Sequence, residues 1–320
     1  MNAVDNSQAQ GRFRVHCQDR EARLAISRWL EESRLPWPGE LDLTVHKVAE
    51  VPQVPDDREA HAIGSVTIQA GPPAGTVHLA WRKAPAVAVI HPTQPRAELW
   101  LTPSVFEPFA RAVRSFLLVV LVFLLRRVGW HHVHGAALID LTGAGWLLVA
   151  KTQSGKSTTT TVLASLGWQV ATDDIGFMVE HGGRVQIAGF REPIALRRAS
   201  ADLLQPRGGV EDTARARRLM WPEEAGGGWV PFVVPERLLF PSVGDTTTAS
   251  LVPVADAVTR VLRSSAWLLF EPLRGQEHLD RLAQLATQCR CYAVTVGPDL
   301  IQDPTLLEAR IHAADLSQAP

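Results

Sequence analysis

Cysteine is scarce in this chain. Only Cys17, Cys289 and Cys291 occur in 320 residues, an odd number without paired C-x-x-C spacing, which argues against a disulfide scaffold or a structural zinc site. A reducing cytoplasm is the expected compartment. Neither sign of charge dominates, with 32 basic side chains against 33 acidic ones. That balance removes any global electrostatic case for nucleic acid or an anionic membrane, so a phosphate site has to be local. The most apolar run, Phe116 to Leu125, spans ten residues, well short of the roughly 20 a membrane span requires. It reads as a buried helix opening near Pro108 and closing at Arg126-Arg127-Val128-Gly129. The N-terminal stretch MNAVDNSQAQGRFR has neither the apolar core of a signal peptide nor an Arg-rich amphipathic transit pattern, so no export is expected.

The length suggests two domains. Residues 1–12 read as a flexible N-terminus and 13–105 as a smaller α+β recognition domain, with a helix at ARLAISRWLEE and strands at TVHLAW and ELWLT. From 106 to 315 the texture changes. GAALIDL, the turn TGAG, WLLVA, a loop, a Thr-rich helix and WQVAT give the strand, strand, loop, helix, strand rhythm of an α/β nucleotide-binding core. A hairpin follows around Gly182-Gly183. Residues 205–231, rich in Gly, Pro and charge, are expected to be a mobile functional loop. Strands VPFVV, RLLFP and ASLVPV, two amphipathic helices, strand CYAVTV and a terminal helix near LLEARIHAA complete the pattern.

The stretch LLVAKTQSGKSTTTT carries the chemistry. Gly155, Lys156 and Ser157 satisfy the end of G-x-x-x-x-G-K-[ST], while Ala150 replaces its first glycine. In such a loop, backbone N–H groups at a helix start surround phosphates, lysine supplies a mobile charge and Ser/Thr coordinates Mg²⁺. Ala150 is tolerable if its φ is negative, because that position is a turn and not a phosphate ligand. The expected nucleotide contacts are Ala150, Thr152, Gln153, Ser154, Gly155, Lys156, Ser157 and Thr158, and the expected nucleotide is ATP. Asp173 and Asp174 directly follow a strand, at the carboxyl edge where open α/β sheets bind ligands. One carboxylate can hold Mg²⁺ and the other can take a proton from an attacking hydroxyl.

The segment HGAALIDLTGAGWLLVAKTQSGKSTTTTVLASLGWQVATDD, residues 134 to 174, resembles the catalytic core of the HPr kinase/phosphorylase family, including the 17-position spacing from Lys156 to Asp173. The resemblance implies a P-loop core related to phosphoenolpyruvate carboxykinase and ATP- and Mg²⁺-dependent phosphorylation of a serine hydroxyl. It makes Asp173 the general base, Asp174 the metal carboxylate with Ser157, and Lys156 the β/γ-phosphate partner. GFREPIALRR stands where that family carries Glu-Ile-Arg-Gly, the segment the resemblance ties to the reverse, phosphorolytic reaction, so whether that reaction carries over stays open. RLLFP, CYAVTVGPD and LLEARI are closer to divergent kinase-like members of biosynthetic clusters, such as those that modify lasso peptides. The acceptor is then a peptide or protein serine or a small alcohol, and homo-oligomers are allowed.

Further candidates surround this core. Arg191, Arg197 and Arg198 stand where an arginine clamp could neutralise a transferred phosphoryl group; a solvated strand edge explains them equally well. Arg215, Arg217 and Arg218 could fold over the nucleotide as a lid. His131, His132 and His134 form HHVH, whose spacing and lack of neighbouring carboxylates or thiolates do not suit a transition metal; His134 alone, in the His-Gly pair, is placed to touch phosphate or position the acceptor. Two other classes of function remain open: a nucleotide-hydrolysing switch, which would not need the second aspartate, and a noncatalytic binding module, against which the intact Lys156, Ser157, Asp173 and Asp174 count.

Overall fold

The computed structural model describes residues 12–37, 39–54, 61–63, 65–71, 75–82, 84–106, 111–151, 153–204, 208–213, 216–265 and 271–317. It is a mixed α/β structure with several sheets. Its contacts divide it into two compact units, one of residues 1–131 and 267–278, the other of residues 132–266 and 279–320.

In the first unit the elements are β1 (Arg12–Cys17), α1 (Arg20–Glu32), β2 (Glu40–Lys47), β3 (His61–Ile63), β4 (Val66–Gly71), β5 (Thr76–Trp81), β6 (Ala86–Ile90), β7 (Arg96–Leu101), α2 (Pro103–Phe106) and α3 (Arg111–Arg126). Among the described residues they build a sheet of order β1-β2-β7-β6-β5-β4-β3, parallel at the β1 end and antiparallel from β7 onward. Parallel pairs thus stand at one end of the sheet and an antiparallel meander at the other. The run Phe116–Leu125 lies inside α3 and is mostly buried. The sequence reading put this helix with the downstream domain; its contacts are with β5, β6 and β7, which its apolar face covers. Residues 107–110, where its start was expected at Pro108, lie outside the described residues. Among the described residues no helix is long and apolar enough to cross a membrane.

Charge closes this unit. Arg126 and Arg127 are buried around Glu271: Arg127 Nη1 donates to Glu271 Oε1, and Arg126 Nη1 lies 3.6 Å from Oε2. Arg127 also donates to the carbonyls of His91 at 2.6 Å and Gly75 at 3.0 Å. Burial pulls the Arg126 guanidinium down to about 10, against the opposing charge of Glu271.

The remaining elements are β8 (His131–Ile139), β9 (Gly145–Val149), α4 (Lys156–Ser165), β10 (Gln169–Thr172), β11 (Ile175–His181), β12 (Arg184–Gly189), β13 (Ile194–Arg197), α5 (Arg198–Leu204), β14 (Val210–Asp212), β15 (Arg217–Met220), β16 (Gly228–Trp229), β17 (Phe232–Val233), β18 (Pro235–Val243), β19 (Thr248–Leu251), α6 (Val254–Ser264), α7 (Pro272–Gln288), β20 (Arg290–Val296), α8 (Asp299–Gln302) and α9 (Leu306–Leu316). The central sheet runs β17-β12-β11-β8-β9-β18-β20-β19, with β10 paired to β8 and β16. Its middle strands β9, β18 and β20 are parallel, and both faces are covered by apolar clusters, as parallel strands require. The turn TGAG is held by one side chain. Asp140 accepts from Thr142 N, Thr142 Oγ1, Ala144 N and Trp146 Nε1 at 2.6–2.9 Å. Trp146 in turn packs on Trp168 with ring centroids 4.9 Å apart.

Two expectations differ from the described structure. Residue 12 begins β1 and is part of the sheet; residues 1–11 lie outside the described residues. The 205–231 segment, expected to be an irregular loop, carries β14, β15 and β16, the first two in a small sheet of order β13-β15-β14; residues 205–207 and 214–215 lie outside the described residues. Its glycine run serves close packing: a Cβ on Gly227 would lie 2.3 Å from the Trp168 carbonyl oxygen and 3.2 Å from the Ala164 side chain. Composition alone reads such glycines as flexibility, whereas here they let the chain approach the end of α4.

Candidate active site

The loop between β9 and α4 needs left-handed backbone at two positions, Gln153 with φ 74° and Gly155 with φ 88°. Ala150 is buried and has no positive φ, so the glycine missing from the motif is not required there. Gly155 is the N-cap of α4 and supplies no side-chain cap, which leaves the first-turn amides open to an anion. The threonines that follow are accounted for within the helix. Thr159, Thr160 and Thr161 donate to the carbonyls of Gly155, Lys156 and Ser157 at 2.9–3.0 Å, which lets a polar helix be buried.

Opposite α4 stands the turn between β10 and β11. Thr172 locks it: its hydroxyl donates to the Ile175 carbonyl at 2.8 Å and accepts from the Ile175 N–H at 3.1 Å. Asp173 and Asp174 are thereby held between two strand ends. Lys156 Nζ donates to the Asp173 carbonyl and to Asp174 Oδ1 at 2.8 Å. Ser157 Oγ donates to Asp173 Oδ2 at 2.7 Å. His134 Nδ1, from β8, is 3.3 Å from Asp174 Oδ1. The aspartates differ sharply in exposure, since Asp173 is buried at 4% and the Asp174 side chain is 52% exposed.

The charges tune one another. Burial pulls the Lys156 ammonium down, but Asp173 and Asp174 outweigh it and hold the group above the ordinary lysine value. Burial pushes Asp174 up, and Lys156 followed by His134 reverses this, leaving it below the usual carboxylate range. His134 lies below the ordinary imidazole value, chiefly through burial, so it is neutral at pH 7.

An open cavity of about 440 Å³ spans this site, within the range of small-ligand pockets. Among the described residues its wall carries four cations, Lys151, Lys156, Arg197 and Arg217, against the single carboxylate of Asp174. The lining also includes the apolar Val243, Val296, Pro298, Ile301 and Leu203. Ser154 Oγ and Asp173 Oδ1 are buried without a hydrogen-bond partner. Cationic and apolar side chains lining one cavity suit a ligand with a polyanionic part and a ring.

No protein-family model matches the chain, and neither does a curated protein. Solved structures do match. The HPr(Ser) kinase/phosphatase from Coxiella burnetii is similar at 12% identity and a TM-score of 0.30, over 58% of this chain and 97% of that one. So remote a likeness decides nothing about activity.

Of the residues singled out from sequence, Gln153, Ser154, Gly155, Lys156, Ser157, Thr158, His134 and Asp174 line the cavity. Asp173 sits behind Ser157, Ala150 is in the core, and Thr152 lies outside the described residues. Arg191 does not line the cavity; its guanidinium ion-pairs with Glu223 at 3.2 Å and stacks over Trp221 at 4.3 Å, because its strand exit turns it toward the 221–224 turn. The metal pair expected from sequence, Ser157 with Asp174, is not the pair in contact: Ser157 meets Asp173. Thr172 and the apolar lining residues Val243 and Ile301 escaped sequence reading, since a strand-end threonine and scattered apolar residues carry no motif.

Proposed function

We propose that this chain is an ATP- and Mg²⁺-dependent kinase with an HPr kinase-like P-loop core, transferring the terminal phosphoryl group to a hydroxyl of a peptide or protein serine or of a small alcohol. The observation that carries this reading is the meeting of Lys156, at the uncapped start of α4, with the Asp173 carbonyl and the Asp174 carboxylate on a cationic cavity. A switch that only hydrolyses nucleotide has no need of that second, half-exposed carboxylate.

The oxygen donors suit a hard divalent cation. Ser157 and Asp173 are adjacent, and Asp173 Oδ1 is buried without a partner. Those two residues would hold Mg²⁺, which when bound would neutralise charge on the phosphates. Asp174 faces the cavity and is the better placed to take the acceptor's proton, the reverse of the assignment the sequence resemblance implies. A neutral His134, with its Nδ1 proton directed at Asp174, orients that carboxylate. The loop amides and Lys156 would hold the phosphates.

Calorimetric titration of ATP with and without Mg²⁺, on wild type and Lys156→Ala, tests the reading, with phosphorus NMR on the same samples for ADP. Metal-dependent binding that the variant loses is the expected result. Wild-type protein without nucleotide affinity sinks it.

A further inference from the structure

Arg197 on β13 and Arg217 on β15 are register partners in an antiparallel pair. Like charges in register repel. Among the described residues neither arginine forms an ion pair, although Arg218 beside them is paired with Glu211 at 3.9 Å. The acid in register with Arg217 is Asp212 on β14, and it does not line the cavity. Two guanidiniums therefore stand side by side on the cavity wall with no carboxylate between them.

Strand alternation fixes where they point. Ile194 and Leu196 of β13 turn into a small core with Ala201 and Met220, so Ala195 and Arg197 face the cavity. Arg217 pairs with Arg197 and shares that face. One contact ties the small sheet to the phosphate loop and a second ties α5, which follows β13, to α4. With the Gln153 amide oxygen turned toward it, Arg197 donates two hydrogen bonds at 2.9 and 3.1 Å. Thr158 Oγ1, in the first turn of α4, donates to Ser200 Oγ at 2.9 Å. The arginine pair is thus fixed to the same loop and helix start that carry Lys156.

We infer that Arg197 and Arg217 form a clamp for the terminal phosphoryl group of the bound nucleoside triphosphate, and that this clamp makes the site select triphosphate over diphosphate. This rests on the kinase reading above. Planar guanidinium forks fit phosphate oxygens bidentately, and a pair held apart in advance meets charge that develops on transfer without reorganising.

The test is calorimetric binding of Mg²⁺-ATP and Mg²⁺-ADP to the full chain as wild type, Arg197→Met, Arg217→Met and Lys156→Ala, with thermal melts on each. Each arginine variant should lose about tenfold or more in ATP affinity and stay within about twofold for ADP. Equal losses for both nucleotides, or no loss for ATP, overturn the clamp. If Lys156→Ala loses both nucleotides while the arginine variants keep ATP, the clamp alone is wrong. Wild-type protein that binds neither nucleotide overturns the clamp and the kinase reading together.

Discussion

Asp174→Asn and Asp173→Asn should move nucleotide affinity in opposite directions. Lys156 Nζ is bonded to Asp174 Oδ1 at 2.8 Å, so it must leave that carboxylate, at least in part, to reach a phosphate. Asparagine keeps the shape and removes the competing charge. Because the Asp174 side chain is 52% exposed, solvent weakens the pair to about 0.5–1 kcal/mol. Its loss should tighten ATP binding by about two- to fivefold. Transfer to an acceptor should fall by about 10²–10⁴, the usual contribution of a general base. Asp173→Asn instead removes a buried carboxylate that accepts from Ser157 at 2.7 Å, so Mg²⁺-dependent affinity should drop while metal-free ATP binding holds. Calorimetry with and without Mg²⁺, with phosphorus NMR for transfer, separates the two variants. Asp174→Asn protein that binds ATP as weakly as Asp173→Asn, or that still transfers phosphate at the wild-type rate, refutes the reasoning.

Other measurements probe the site and its scaffold. Burial holds His134 below the ordinary imidazole value of about 6.5, so if the neutral ring is needed, kcat/KM should fall only as pH drops below that value; His134→Asn should move the acid limb lower still, and an unmoved limb would show that the ring plays no part. Asp140→Ala removes the acceptor of four hydrogen bonds in the β8–β9 turn and should cost about 2 kcal/mol in denaturant unfolding at pH 7. Burial raises the Asp140 carboxyl, but bonds from Thr142 and Trp146 leave it lowered overall. Its contribution is therefore complete above the unfolded value near 4 and is lost as pH falls through the lower folded one, so the gap between wild type and variant should close only in that acid window. Glu271→Gln leaves Arg126 and Arg127 buried without their shared carboxylate and should destabilise the chain by about 3–5 kcal/mol; a loss under about 1 kcal/mol would mean that the guanidiniums are neutralised elsewhere.

Much of the fold was legible because local signals and packing agreed. TVHLAW is β5, residue for residue, and Gly182-Gly183 turns the β11–β12 hairpin with φ of 58° and 75°. The apolar run at Phe116 is buried because it is apolar on every side. Where reading failed, the deciding contact was distant in sequence. Nothing near Gly226-Gly227-Gly228 reveals that the run packs on Ala164 and Trp168. Nothing near Arg217 reveals that Arg197 is its register partner. Arg191 looked as good as Arg197 until Glu223 and Trp221 took it.

Ala150 shows why a motif is better read as backbone geometry than as letters. The loop has to turn from β9 into α4, and glycine is needed only where φ is positive. Here that demand falls on Gly155, at 88°, and on Gln153, at 74°. A non-glycine residue in that region carries a cost of about 1–2 kcal/mol, and at Gln153 the two hydrogen bonds from Arg197 are available to offset it. The strained residue of the β9–α4 loop and the arginine assigned to the terminal phosphate are therefore one mechanical unit. Replacing Gln153 with glycine should relax the strain and release Arg197 together, leaving the free protein's stability little changed while weakening its preference for ATP over ADP. A preference that survives Gln153→Gly would show that Arg197 is held by β13 alone.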